Sequence, residues 1–150
     1  MTVVPEAGSV LGEFEAEIER ARTWRVDWAV GLDVPEYQDP EVARSMGHPD
    51  ILVPPGSLVF FSFLPDTSWL DVAGIRFDRS LAVRRRIISH RQLYVGEVVA
   101  GRVVIDTVDV KTTARSIVVA TTIATTYRVS DEAVAEEYVT YSTRHPAEAA

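Results

Sequence analysis

Hydrophobic and polar positions change their spacing several times along the chain, and each change marks an element. In "EFEAEIE" the apolar Phe14, Ala16 and Ile18 alternate with glutamates, the period of a half-buried strand. In "RARTWRVDWAVG" Ala21, Trp24, Trp28 and Gly31 fall three or four apart. That spacing predicts a short amphipathic helix, its apolar stripe carrying the tryptophans and its end at Gly31. "LDVPEYQD" reads as a loop, because Pro35 pushes Val34 towards extended geometry. "DPEVARSMG" has Asp39 as N-cap, Pro40 in the first helical position and Gly47 as the stop. "PPGSLVFFSFLP" is apolar without alternation and bracketed by prolines. It predicts a short buried helix, with a buried strand as the competing assignment. "DTSWLDVAGIRFD" reads as an irregular connection.

From Ser80 onward the pattern is that of strands. "SLAVRRRIISHRQLY" runs to a turn at "VGE". "VVAGRVVIDTVDVKTT" follows, with Gly101 as a bulge or a close-approach point. "RSIVVATTIATTYRV" ends in a hairpin turn at "SDEA", "VAEEYVTYSTR" alternates again, and "HPAEAA" reads as a frayed tail. A strand, then helices, then a run of long antiparallel strands means α+β. A helix apolar all round must be enclosed, and a long sheet wrapped around it would do so. That is the hotdog architecture. One such sheet leaves an edge uncovered, so pairing into a dimer is expected. With 150 residues and no linker, a single domain with its core over about 14–144 is expected.

Composition narrows the function. Hydrophobic residues make up 47% and charged residues 25%, as in globular domains generally. A net charge of −7 argues against a nucleic-acid binder. With no cysteine there is no disulfide, thiolate metal site or cysteine nucleophile. The N-terminus has no secretory-signal pattern, and no apolar run approaches the ~20 residues that cross a bilayer, so a cytoplasmic protein without membrane contact is expected. Six of the 15 basic residues lie between Arg76 and Arg91, a local excess suited to an anionic ligand.

Three segments then matter in their order: "WAVGLDVPEYQDPEVA", "ILVPPGSL" and "HRQLYVGEVVAG". Together, from about Phe14 to Arg144, the chain resembles the N-terminal-type domain of MaoC-like dehydratases, hotdog proteins that include (R)-specific enoyl-CoA hydratases and fatty-acid dehydratase subunits. The resemblance implies a thioester of coenzyme A or acyl carrier protein at a dimer interface and no cofactor. It also implies a loop with an aspartate and a histidine that manage proton and water, and a glycine N–H that holds the thioester carbonyl. A helix start suits that last task, because its unpaired donors meet developing enolate charge. Aligned on Pro35, the aspartate position is Leu32 and the histidine position is Tyr37, so both halves of the dyad are absent. Gly56 stands at the carbonyl-binding position, flanked by Pro55 and Ser57, and Glu97 replaces the aspartate of a Gly-Asp turn.

The remaining candidates are weighed singly. Asp33, one residue late, takes the water-orienting role if the loop shifts; otherwise it is solvated. Tyr37, with a reference pKa near 10, is a poor base but a possible hydrogen-bond donor, or else an aromatic packed over the loop. His48 is the one histidine near the loop and the best local general base, or else a surface turn residue. With Asp39 and Asp50 it makes no metal site, since no second histidine lies at ligand spacing. His90 is read as structural or interfacial. Arg84 and Arg86 share a strand face opposite Arg85; they either pair with the glutamates of "EFEAEIE" or meet the phosphates of coenzyme A or an acidic carrier protein. Three functions follow. The chain is a hydratase or dehydratase subunit shaping the acyl-thioester tunnel, in a homodimer or with a partner that supplies the dyad. Alternatively it is a self-sufficient lyase built on Asp33, Tyr37 and His48, or a non-catalytic thioester binder.

Overall fold

The computed structural model describes residues 4–60, 64 and 66–146. Strand β1 (Val10–Glu17) leads into helix α1 (Arg20–Val30), a 3-10 turn (Pro35–Tyr37) and helix α2 (Pro40–Ser45). A two-residue strand β2 (Leu52–Val53), a 3-10 helix (Pro55–Phe60) and helix α3 (Ser68–Val72) follow. The strands β3 (Ser80–Ser89), β4 (Leu93–Tyr94), β5 (Val98–Thr112), β6 (Ser116–Val129) and β7 (Glu132–Pro146) complete the chain. Five of them form one antiparallel sheet in the order β1-β5-β6-β7-β3, and β2 pairs with β4 separately.

The strand signals were strong because β-branched residues dominate them. Along β6 the buried Val119, Thr121, Ile123, Thr125 and Tyr127 alternate with half-buried Ala120, Thr122, Ala124 and Thr126, so one face of the sheet looks inward. Against that face pack Leu58 of the 3-10 helix, in a cluster with Ile18, Val53, Leu93, Val99 and Tyr127, and Leu70, Ala73 and Ile75 around α3, in a cluster with Val103, Ile105 and Ile123. The β6–β7 hairpin turns at Ser130-Asp131, with Ser130 at φ 53°. Gly101 is a close-approach point. It pairs with Phe14, and a Cβ there would run into the Phe14 ring. The bulge in β5 lies further on, between Ile105 and Thr107.

Several expectations change. The helix α1 exists and stops at Gly31 in the left-handed region, but its buried residues are Thr23 and Asp27, while Trp24 is 54% and Trp28 76% exposed. Periodicity located the helix and misassigned its inner face, since spacing alone does not say which stripe turns inward. The apolar segment begins as a 3-10 helix through Phe60 rather than an α-helix, and its continuation at 61–63 and 65 lies outside the described residues. The connection read as irregular contains α3. β3 stops at Ser89, and His90 falls after it, before β4. His145 and Pro146 belong to β7, and the rest of the expected frayed tail lies outside the described residues. Finally, β1 and β3 occupy opposite edges of the sheet, so Arg84 and Arg86 cannot pair with the glutamates of β1.

Candidate functional site

The loop after α1 is held by backbone. Gly31 closes the helix through its N–H to the Trp28 carbonyl, and the Leu32 N–H donates to the Asp27 carbonyl at 2.8 Å. Gln38 then folds back, its Nε2 donating to the Leu32 carbonyl at 2.6 Å. Asp39 caps α2 as expected, its Oδ1 accepting from the Glu41 N–H at 2.8 Å and the Val42 N–H at 3.4 Å. Asp50 is a structural carboxylate. The Ile51 N–H (2.8 Å), and then Arg44 (2.9 Å) and Arg20 (3.3 Å), hold it below the ordinary carboxylate range.

The three proposed catalytic residues stand apart. Asp33 is exposed, Tyr37 is half-buried, and no hydrogen bond or ring contact joins either to His48 among the described residues. Tyr37 lines a cleft of about 360 Å³ with Arg20, Thr23, Trp24, Gln38 and Ile51. His48 turns instead to β4, its Nδ1 lying 3.2 Å from the Tyr94 hydroxyl. Glu97 belongs to the β4–β5 turn, where it accepts from the Tyr94 N–H at 2.8 Å and binds both Nη atoms of Arg91, at 2.8 and 3.2 Å. That pairing and Glu132 hold the Arg91 guanidinium even more firmly protonated than usual.

Pro55, Gly56 and Ser57 open the 3-10 helix. The Ser57 N–H donates to the Pro54 carbonyl at 2.9 Å, and nothing lies within 4 Å of where a Gly56 Cβ would be. Gly56 therefore presents backbone to open space. Arg84 and Arg86 project from the other face of the sheet, with Asp106, Thr107, Thr122, Tyr138 and Thr140 around them. The Arg86 guanidinium lies 4.8 Å above the Tyr138 ring. His90 approaches Glu136, with 3.0 Å between Nε2 and Oε2.

Two polar groups were missed in the sequence. Asp27 is fully buried on α1 with neither carboxylate oxygen partnered, and burial pushes its pKa up. Its one signal is the i, i+4 spacing from Thr23, a polar stripe beside the more conspicuous tryptophans. Glu137 is buried on the inner face of β7, where its Oε2 accepts from the Tyr127 hydroxyl at 2.7 Å and its Oε1 meets Arg85. Among the described residues no three or more His, Asp or Glu side chains gather to hold a metal, and no helix is long and apolar enough to cross a membrane.

Residues 6–137 match the family model described as FAS1-like, dehydratase domain region. No curated protein sequence matches. Among solved structures, the ChsH1–ChsH2 complex from Mycobacterium tuberculosis is similar at 24% identity and TM-score 0.71, over 92% of this chain and 85% of that one. The C-terminally truncated HadBC (3R-hydroxyacyl-ACP dehydratase) complex from Mycobacterium tuberculosis aligns at 18% identity and TM-score 0.68, over 87% and 90%. The (R)-hydratase from A. caviae involved in PHA biosynthesis aligns at 14% identity and TM-score 0.65, over 92% and 96%. These likenesses establish the hotdog fold.

Proposed function

The chain belongs to the FAS1-like dehydratase-region family of MaoC-like hotdog domains, and from that premise we propose that it is a subunit of an (R)-specific enoyl-thioester hydratase or 3-hydroxyacyl-thioester dehydratase. In this reading it shapes the acyl-thioester tunnel, and a partner hotdog subunit supplies the Asp/His pair. One observation carries it. The loop frame, Gln38 tied back to Leu32 and Asp39 capping α2, is intact, while the dyad positions hold Leu32 and Tyr37. Water addition needs a base with a pKa near working pH, and a leucine supplies none. Two of the similar structures are named as two-component complexes, which supports a paired arrangement.

The chain's own share would be binding. Gly56, with open space beside it, suits a thioester carbonyl, and Pro55 fixes the entry to that 3-10 helix. Arg84 and Arg86 suit the phosphates of coenzyme A or the acidic surface of a carrier protein. The test is to isolate the chain from its host with whatever accompanies it and to assay hydration of crotonyl-CoA. A co-purifying hotdog protein and activity confined to the complex are expected. Equal turnover by the chain alone, lost in His48→Ala or Asp33→Ala, would replace this reading by the self-sufficient lyase. Saturable binding without turnover in any combination would leave a thioester-binding protein.

A further inference from the structure

The thioester reading leaves the cleft of about 360 Å³ beside α1 without an occupant. Its walls come from three places: Arg20, Ala21 and Trp24 of α1, Tyr37 and Gln38 at the 3-10 turn, and the buried Ile51 before β2. Trp24 is 54% exposed, so its indole is not consumed by core packing. Tyr37 is half-buried, and its hydroxyl has no hydrogen-bond partner among the described residues. Neither ring is paired with another aromatic among those residues. Gln38 is anchored to the Leu32 carbonyl at 2.6 Å, which fixes its side of the cleft. Arg20 supplies the charge. Its one hydrogen bond among the described residues runs to Asp50 at 3.3 Å, and the Ile51 N–H (2.8 Å) and Arg44 (2.9 Å) already meet that carboxylate. The Arg20 guanidinium therefore keeps unused donors. No acid lines the cleft, and the one acid of α1, Asp27, is buried inside.

Apolar walls that include two aromatic rings favour a flat ring, which can stack on one and meet the edge of the other. A guanidinium favours a carboxylate, whose two oxygens match its planar donors. The volume lies within the range of small-molecule sites. A cation would meet Arg20 with no acid to balance it, and a bare hydrocarbon would leave the Arg20 donors unused. We propose that this cleft binds an aromatic acid, its ring against Trp24 and Tyr37 and its carboxylate on Arg20. The site is built by this chain alone, and it does not rest on the thioester reading. It also gives the exposed Trp24 a task that core packing does not.

The test is calorimetric titration of 2-naphthoate into the protein, isolated with any accompanying chain. Saturable binding with a Kd on the order of 0.1–1 mM is expected for so small a ligand in an open cleft. Decanoate is an acid without a ring, and 2-naphthalenemethanol is a ring without a charge. Each should bind about tenfold more weakly than 2-naphthoate. Trp24→Ala and Arg20→Gln should each weaken 2-naphthoate binding by about tenfold, with the circular dichroism unchanged. Trp28→Ala, at a residue more exposed than Trp24 but outside the cleft, should leave the affinity unaltered. Absence of saturable binding by the wild type would overturn the proposal. So would decanoate binding as tightly as 2-naphthoate, or Trp28→Ala weakening binding as much as Trp24→Ala, the mark of a nonspecific apolar surface. None of these results alters the outcome of the hydration assay, so the two readings stand or fall separately.

Discussion

A carboxyl group enclosed on a helix face with no donor to meet it has its pKa pushed up, because ionising it would bury a charge without solvent or partner. Asp27 is such a group. Its pKa is raised in the folded protein, so its contribution is fully present below the ordinary value of 3.8 and is lost as pH rises through the folded value. Urea denaturation should therefore show Asp27→Leu gaining on the wild type as pH rises, reaching about 1–3 kcal/mol of added stability at neutral pH. Parallel stability curves across that range would contradict the assignment. Glu137 presents the opposite case, a buried carboxylate with partners. Tyr127→Phe removes the 2.7 Å bond to Glu137 and should destabilise by about 1–3 kcal/mol in the same measurement.

At the scale of elements, β1 is seated on β5 by a fit between one glycine and one ring. Gly101→Ala would drive a Cβ into the Phe14 ring, and the fully buried Tyr127 stands edge-on to that ring at 6.0 Å, which limits its retreat. A loss of about 1–3 kcal/mol is expected, partly restored in the Gly101→Ala, Phe14→Leu double variant, as thermal melting would report. Gly101 was legible in the sequence because a glycine inside a β-branched run weakens the strand unless a bulge or a close neighbour needs the space. The inner face of α1 was not legible, because two tryptophans at helical spacing outweigh a Thr and an Asp at the same spacing. Their exposure predicts that Trp28→Ala changes stability by no more than about 0.5 kcal/mol, whereas a tryptophan packed in the core would lose about 3–5. α3 escaped notice because five residues give too short a window for periodicity. The loop and Asp39 were readable because capping is local chemistry between neighbours.

For the whole molecule, the order β1-β5-β6-β7-β3 leaves β3 as an edge ten residues long, with Leu81 72% and Val83 58% exposed. An edge with unpaired backbone and apolar side chains invites a second strand, and the proposed tunnel-shaping role calls for a partner. Pairing through this edge predicts that Leu81→Lys with Val83→Lys shifts the protein to the smaller species in size-exclusion chromatography while leaving its circular dichroism unchanged. The long strands and their sequence order were readable from β-branched runs. The burial of Asp27 was not, because it depends on which stripe of α1 turns inward. The central claim is that this chain binds and its partner reacts. The measurement that tests it most directly is the rate of crotonyl-CoA hydration by the complex isolated from the host, set beside the rate of this chain alone. Turnover by the complex with the lone chain at background is the predicted result, and equal turnover by the lone chain would contradict it.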